Sequence, residues 1–175
     1  MEDMRYPIGK FTLDKDVTPE KRKGWIRDIE EMPETLRRSL DGLSAARWDT
    51  PYRDGGWTVR QITHHLADSH MNAFIRCKLA LTADSPGITP YSQDAWAATV
   101  DAVGVEPGES LSILEGLHRR WAALLSALAP GDFARTFTHP ESGLVAIERT
   151  LQTYAWHGRH HVAQILSLRE RKGWQ

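Results

Sequence analysis

The sequence predicts an all-α protein, a four-helix bundle with long connections between its helices. Apolar residues recur every three or four positions in four long segments, the spacing of one face of an α-helix. Gly and Pro residues, which favour turns, are frequent between these segments. The 175-residue chain has 41% hydrophobic and 26% charged residues, which is ordinary globular composition. This length is typical of one domain, so residues 1–175 are expected to form a single domain.

The first helix is predicted over residues 19–40, after an extended N-terminal arm over residues 1–18. Thr18 is suited to cap its N-terminus, and the Pro that follows is favoured at the first helical position. Pro33 interrupts the apolar pattern of this helix and is expected to bend it, because proline cannot donate a backbone hydrogen bond.

The other three helices are predicted in the remainder of the chain, with Ser110 as the cap of the third. Their expected ranges are 58–81, 110–128 and 146–171. The connections over 82–109 and 129–146 are long, with a short helix expected at 94–103 and a short extended piece at 136–140. Connections of this length in a compact domain are usually functional.

Charge and cysteine content exclude several classes of protein. The 22 Lys and Arg residues balance the 23 Asp and Glu residues, so no strongly basic nucleic-acid-binding protein is expected. The single cysteine, Cys77, cannot form an internal disulfide, and its place among apolar residues favours a buried core role over a nucleophile. With no signal peptide and no apolar run long enough to span a membrane, a cytoplasmic location is expected.

Two groups of histidines predict a metal site. His157 and His161 are four residues apart on the fourth helix, so both imidazoles can reach one ion. The second helix contributes three further candidates, His64, His65 and His70, and spacing alone does not choose between His64 and His65. Three protein ligands with one open coordination position are typical of a catalytic zinc site.

The catalytic residues are not determined by these patterns. Asp68 and Glu148 are candidates, Asp68 because it lies one turn from the histidines of the second helix and Glu148 as a general base. Glu141 is a further candidate base. His118 and His139 are expected near loops or on the surface.

Four segments together resemble one known family. These are GGWTVRQ (55–61), HHLADSHMN (64–72), LHRRW (117–121) and YAWHGRHH (154–161). The sequence resembles the DinB-like superfamily and, within it, the YfiT-like family of metal-dependent hydrolases and bacillithiol S-transferases. The resemblance implies a four-helix bundle that holds one divalent metal per subunit, zinc or nickel, through three histidines.

Carried onto this chain, the family ligands are His65, His157 and His161. His65 is chosen over His64 because family members place the ligand histidine directly before an aliphatic residue. In the family that this chain resembles, close relatives look to have histidine at the position of Gln164. Gln164 is expected to lie outside the ligand set.

The resemblance implies a hydrolase whose metal activates water. The alternative is a thiol S-transferase that joins a small thiol similar to bacillithiol to an electrophile. A second alternative is a non-catalytic binding module with a structural metal, whose fourth ligand would be a residue such as His70 or Glu148. A bundle without metal, with histidines in its core, also stays open. The expected partners are a small-molecule substrate and a second copy in a homodimer, with neither nucleic acid nor membrane.

Overall fold

Four long helices form a bundle in the computed structural model, which describes residues 4–174. The long helices are α1 (Pro19–Leu40), α3 (Val59–Thr82), α6 (Pro107–Ser126) and α7 (Ile147–Lys172). The shorter elements are α2 (Ala45–Trp48), α4 (Gln93–Ala97), α5 (Val100–Gly104), a 3₁₀ helix (Pro130–Ala134) and a hairpin of β1 (Thr136–His139) and β2 (Gly143–Ala146). The predicted helical bundle is therefore confirmed.

The order of the helices around the bundle differs from their order in the chain. Helices α1 and α3 each pack extensively against both α6 and α7. This arrangement places α1 diagonally opposite α3, and α6 diagonally opposite α7. In a simple up-and-down bundle consecutive helices are neighbours. Here the connections from α1 to α3 and from α6 to α7 cross the bundle, whereas the longer connection from α3 to α6 joins two neighbouring helices.

Helix α1 continues through Pro33, and both of its ends lie where they were predicted. Thr18 caps it as predicted, with its hydroxyl accepting a hydrogen bond from the amide of Lys21. Pro33 is buried inside the helix and has no amide hydrogen to donate to the carbonyl of Ile29, four residues earlier. A different donor reaches that carbonyl, the Nδ1 atom of His118 at 2.5 Å.

Some boundaries were predicted wrongly. Helix α6 begins at Pro107, so Ser110 does not cap it and instead lies buried in its first turns. The short helix expected at 94–103 is two helices, α4 and α5, and α2 lies between the first two predicted helices, where none was predicted. The extended piece expected at 136–140 is confirmed as β1, which pairs antiparallel with β2.

The core extends along the whole bundle in two clusters of apolar side chains. One contains Leu36, Ile62 and Leu114, and the other is built around Trp121, which has no exposed surface. Within the described residues, no helix is both long and apolar enough to cross a lipid bilayer.

Helices α1 and α7 approach each other closely at Gly158. A Cβ atom at Gly158 would lie 2.5 Å from Cγ of Met32, closer than any normal contact. Because Gly158 has no side chain, α1 and α7 can approach each other this closely at the position next to His157.

Gly158→Ala should lower the thermal unfolding temperature, because overpacking against Met32 outweighs the gain in helix propensity, with a net loss of about 1 kcal/mol. Gly116→Ala in α6 is the matched control, because a Cβ atom there meets nothing within 4 Å. That control should gain up to about 1 kcal/mol. Equal stabilisation of both variants in a thermal melt would contradict the proposed close approach.

Candidate metal centre

Three histidines from two packed helices converge in the bundle. His65 projects from α3, and His157 and His161 project from successive turns of α7. One ring nitrogen from each lies within 4.8 Å of the others. Nε2 of His65 and Nε2 of His157 are 3.2 Å apart. Such a spacing suits three ligands of one ion, because Zn–N bonds are about 2.0–2.1 Å long.

Burial keeps these imidazoles neutral. It lowers the pKa of His65 to about 4 and holds the pKa values of His157 and His161 well below the ordinary value, with their mutual repulsion adding to the effect. Neutral imidazole has a free lone pair, which is the form that binds a metal.

Hydrogen bonds hold the Nδ1 atoms of His157 and His161, the two histidines on α7 that are called the α7 pair below. Nδ1 of His157 lies 3.1 Å from Nε2 of His70, and Nδ1 of His161 lies 2.8 Å from Oε1 of Gln164. The amide nitrogen of Gln164 donates to the carbonyl of Arg5 in the N-terminal arm. With their Nδ1 atoms engaged in this way, both histidines are left with Nε2 as the nitrogen available for a ligand role.

The tight loop before α3 forms one wall of the site. The backbone amide of Tyr52 donates to the carbonyl of Trp57, and a Cβ atom at Gly56 would lie 2.6 Å from the ring of Tyr52. Only glycine fits at this position without displacing that ring. The loop places the ring of Trp57 4.6 Å from His65 and stacked near His161.

Two cavities meet at His157. The first, of about 490 Å³, contains all three histidines and is lined also by Tyr6, Trp57, Asp94 and Trp156. The second, of about 460 Å³, lies towards the hairpin and is lined by residues that include Arg76, Tyr91, His139, Glu141 and Tyr154. Both volumes are in the range of small-molecule sites.

The sequence pattern of the DinB superfamily matches residues 28–165, which include all of these histidines. The chain belongs to the DinB superfamily. A protein of Bacillus mycoides (strain KBAB4) is 49% identical over 174 residues, which are 99% of this chain and 100% of the relative. One of Oceanobacillus iheyensis is 49% identical over 170 residues, 97% of this chain and 98% of the relative. Both relatives carry the name "Putative metal-dependent hydrolase".

A solved structure has the same fold. YfiT from Bacillus subtilis superposes with a TM-score of 0.95 at 44% identity, over 98% of this chain and 99% of that chain. It is described as a probable metal-dependent hydrolase with an unusual four-helix bundle topology. The diagonal placement of α1 relative to α3, and of α6 relative to α7, in this DinB protein is consistent with that description.

The structure separates His64 from the histidine cluster. Nδ1 of His64 lies 2.7 Å from the hydroxyl of Ser110, and Nε2 lies 3.0 Å from the carbonyl of Val105. Both ring nitrogens are therefore occupied on the α6 side of α3. His65, the position to which the resemblance pointed, is the one that joins the α7 pair.

The structure also places the two predicted catalytic carboxylates, Glu148 on α7 and Asp68 on α3. Glu148 forms an ion pair with Arg22, at 2.6 Å, and it precedes His157 by nine residues, roughly 13 Å along the helix axis. Asp68 is half-buried, its pKa is raised by burial and by Asp101, and it lines neither cavity. Neither carboxylate is among the side chains that line the two cavities, and a catalytic role for either stays a prediction.

His118 was predicted near a loop or on the surface, and that prediction is wrong. It has no exposed surface and lies in the middle of α6, because the diagonal helix order turns this face of α6 towards α1 and α3. His139 lies half-buried at the end of β1 and, with Glu141, borders the second cavity.

Sequence reasoning missed several residues that line the first cavity. Tyr6 belongs to the N-terminal arm and Asp94 to the short helix α4, and neither segment carries a motif that points to a site. Trp57 stands in the GGWTVRQ segment that carried the resemblance, which was the available signal.

Cys77 is a core residue, as predicted. It has no exposed surface, and burial raises the pKa of its thiol to about 12. At pH 8 roughly 10⁻⁴ of such a thiol is ionised, and the thiolate is the reactive form.

The native protein should therefore react negligibly with the thiol reagent 5,5′-dithiobis(2-nitrobenzoate) at pH 8, and the unfolded protein should release one equivalent of thionitrobenzoate. Cys77→Ser should retain any turnover of the native enzyme, because the thiol is inaccessible to substrate. Rapid labelling of the folded protein would contradict the burial of Cys77. Loss of turnover in Cys77→Ser with metal still bound would show that Cys77 belongs to the mechanism.

Proposed function

We propose that this protein is a metal-dependent hydrolase in which His65, His157 and His161 hold one divalent ion. The observation that carries this proposal is the convergence of three neutral imidazole nitrogens in the lining of one cavity. The names of the relatives support it. Zinc and nickel are the metals we propose, because imidazole nitrogen suits both.

The residues of the site fit such an ion. Three nitrogen ligands without a cysteine or carboxylate leave coordination positions for water or substrate. When bound, a divalent ion in this setting lowers the pKa of bound water and polarises a substrate oxygen.

The chain itself supplies the surroundings of the reaction. Trp57 and Trp156 line the cavity as aromatic walls, and the ring of Trp57 lies 4.6 Å from the ring of His65. Asp94 is the one carboxylate among the described residues that line the first cavity, and we propose that it accepts a proton from the reacting molecule. His65 and the α7 pair stay neutral and serve to bind and orient.

A thiol S-transferase is the second candidate, and the pair of cavities supports it. Two spaces that share His157 can hold two different substrates on either side of it. In that reaction the sulfur of a small thiol forms a bond to an electrophilic carbon, the leaving group departs with its bonding electrons, and the thiol proton passes to a base. Because Cys77 is inaccessible, the thiol must come from a small molecule.

The alternative of a structural metal needs a fourth ligand, and the two residues named for it are engaged elsewhere. Both ring nitrogens of His70 contact other histidines, and Glu148 pairs with Arg22. A homodimer, the lack of nucleic-acid and membrane partners, and the cytoplasmic location stay predictions.

Elemental analysis of untagged protein should find one equivalent of zinc or nickel in the wild type. His65→Ala, His157→Ala and His161→Ala should each lose most of it and keep their helical circular dichroism, because the two apolar clusters hold the bundle without the ion. His64→Ala is the matched control: the residue is equally buried, neighbours His65 and should retain the metal.

Loss of helical signal together with the metal would instead identify a structural ion. A wild type without metal would contradict the proposal. With the metal-loaded protein, parallel assays of ester or amide hydrolysis and of thiol consumption then separate the two reactions, since only the transferase consumes thiol.

A further inference from the structure

A row of buried histidines connects the metal site to the backbone of α1. Nδ1 of His157 lies 3.1 Å from Nε2 of His70, and Nδ1 of His70 lies 2.9 Å from Nε2 of His118. Nδ1 of His118 lies 2.5 Å from the carbonyl oxygen of Ile29. His70 and His118 have no exposed surface, and neighbouring rings of this row are in direct hydrogen-bond contact.

The carbonyl at the end fixes the direction of every hydrogen bond in the row. A carbonyl oxygen only accepts, so Nδ1 of His118 must carry its proton. A neutral imidazole has one donor and one acceptor, so Nε2 of His118 accepts from Nδ1 of His70. By the same rule Nε2 of His70 accepts from Nδ1 of His157, and Nε2 of His157 keeps its lone pair.

We propose that His118 and His70 are positioning residues that hold His157 in the tautomer whose Nε2 can bind the metal. The proposal rests on the metal site proposed above and concerns residues outside the ligand set. The Ile29 carbonyl is open to His118 because Pro33, in the position that would normally bond to it, lacks an amide hydrogen.

His161, the other proposed ligand on α7, is held in the same way by a separate set of hydrogen bonds. The amide nitrogen of Gln164 donates to the carbonyl of Arg5, which places its oxygen on Nδ1 of His161. Nδ1 of His161 therefore carries the proton and Nε2 is free. Two separate sets of hydrogen bonds, each ending at a backbone carbonyl, therefore select the Nδ1-protonated tautomer for both His157 and His161.

The row is tested first in metal-free wild-type protein labelled with ¹⁵N-histidine. Two-bond ¹H–¹⁵N correlation spectra at pH 7.5 report which ring nitrogen carries the proton. We expect His118, His70, His157 and His161 to carry it on Nδ1, although free histidine in water prefers Nε2. A proton on Nε2 of His157 would overturn the proposal.

Two variants of His118 separate positioning from packing. His118→Phe keeps a ring in the core but cannot accept from His70, and it should weaken zinc binding 10- to 100-fold in competition with a chromophoric chelator. His118→Gln can accept through Oε1 near the position of Nε2, and should stay within about threefold of the wild type. His64→Phe is the control for the loss of a buried histidine and should bind zinc like the wild type.

The outcomes distinguish this inference from the proposed function. Equal zinc affinity in wild type and His118→Phe, or an equal loss in His118→Phe and His118→Gln, would overturn the positioning role. A wild type that binds no zinc would overturn the proposed function, while the tautomers still decide whether the row exists. If His118→Phe does not fold, the glutamine variant and the wild-type spectra decide.

Discussion

The hydrogen bond from His118 to the carbonyl of Ile29 is the contact on which the centre of this bundle depends. Proline inside a helix normally costs about 3 kcal/mol, partly because a carbonyl loses its donor. Here the carbonyl released by Pro33 faces α6 and receives a donor from a neighbouring helix. A local defect of α1 thus becomes a tertiary contact. From His118 on α6, hydrogen bonds continue to His70 on α3 and then to His157 on α7.

The diagonal order of the helices makes this arrangement possible. Because α1 and α3 both contact α6 and α7, a side chain on α6 can reach α1 on one side and α3 on the other. The close approach at Gly158 keeps α7 near α1 at the level of His157. Packing and polar contacts are therefore coupled: the histidine row spans the bundle only while these helices stay at their present separation.

Much of the fold and part of the site could be predicted from the sequence, for definite physical reasons. The pair His157 and His161 follows from helical periodicity, which is local and depends on no partner. His118 was misplaced because its burial depends on which helices face each other, and periodicity does not encode that. Tyr6 was missed because an extended arm has no repeating pattern, and its position is set only by contacts such as that between Arg5 and Gln164.

The histidines and the walls of the cavities are supplied by different kinds of segment. The histidines stand on the long helices, but much of the cavity wall comes from connecting segments, such as the loop that ends at Trp57, α4 with Asp94, and the hairpin with His139. Loops accept sequence change more readily than packed helices do. During evolution, related proteins could thus diverge in the molecules they accept while inheriting an unaltered centre, and grafting these loops between relatives offers a route to new specificities on one scaffold.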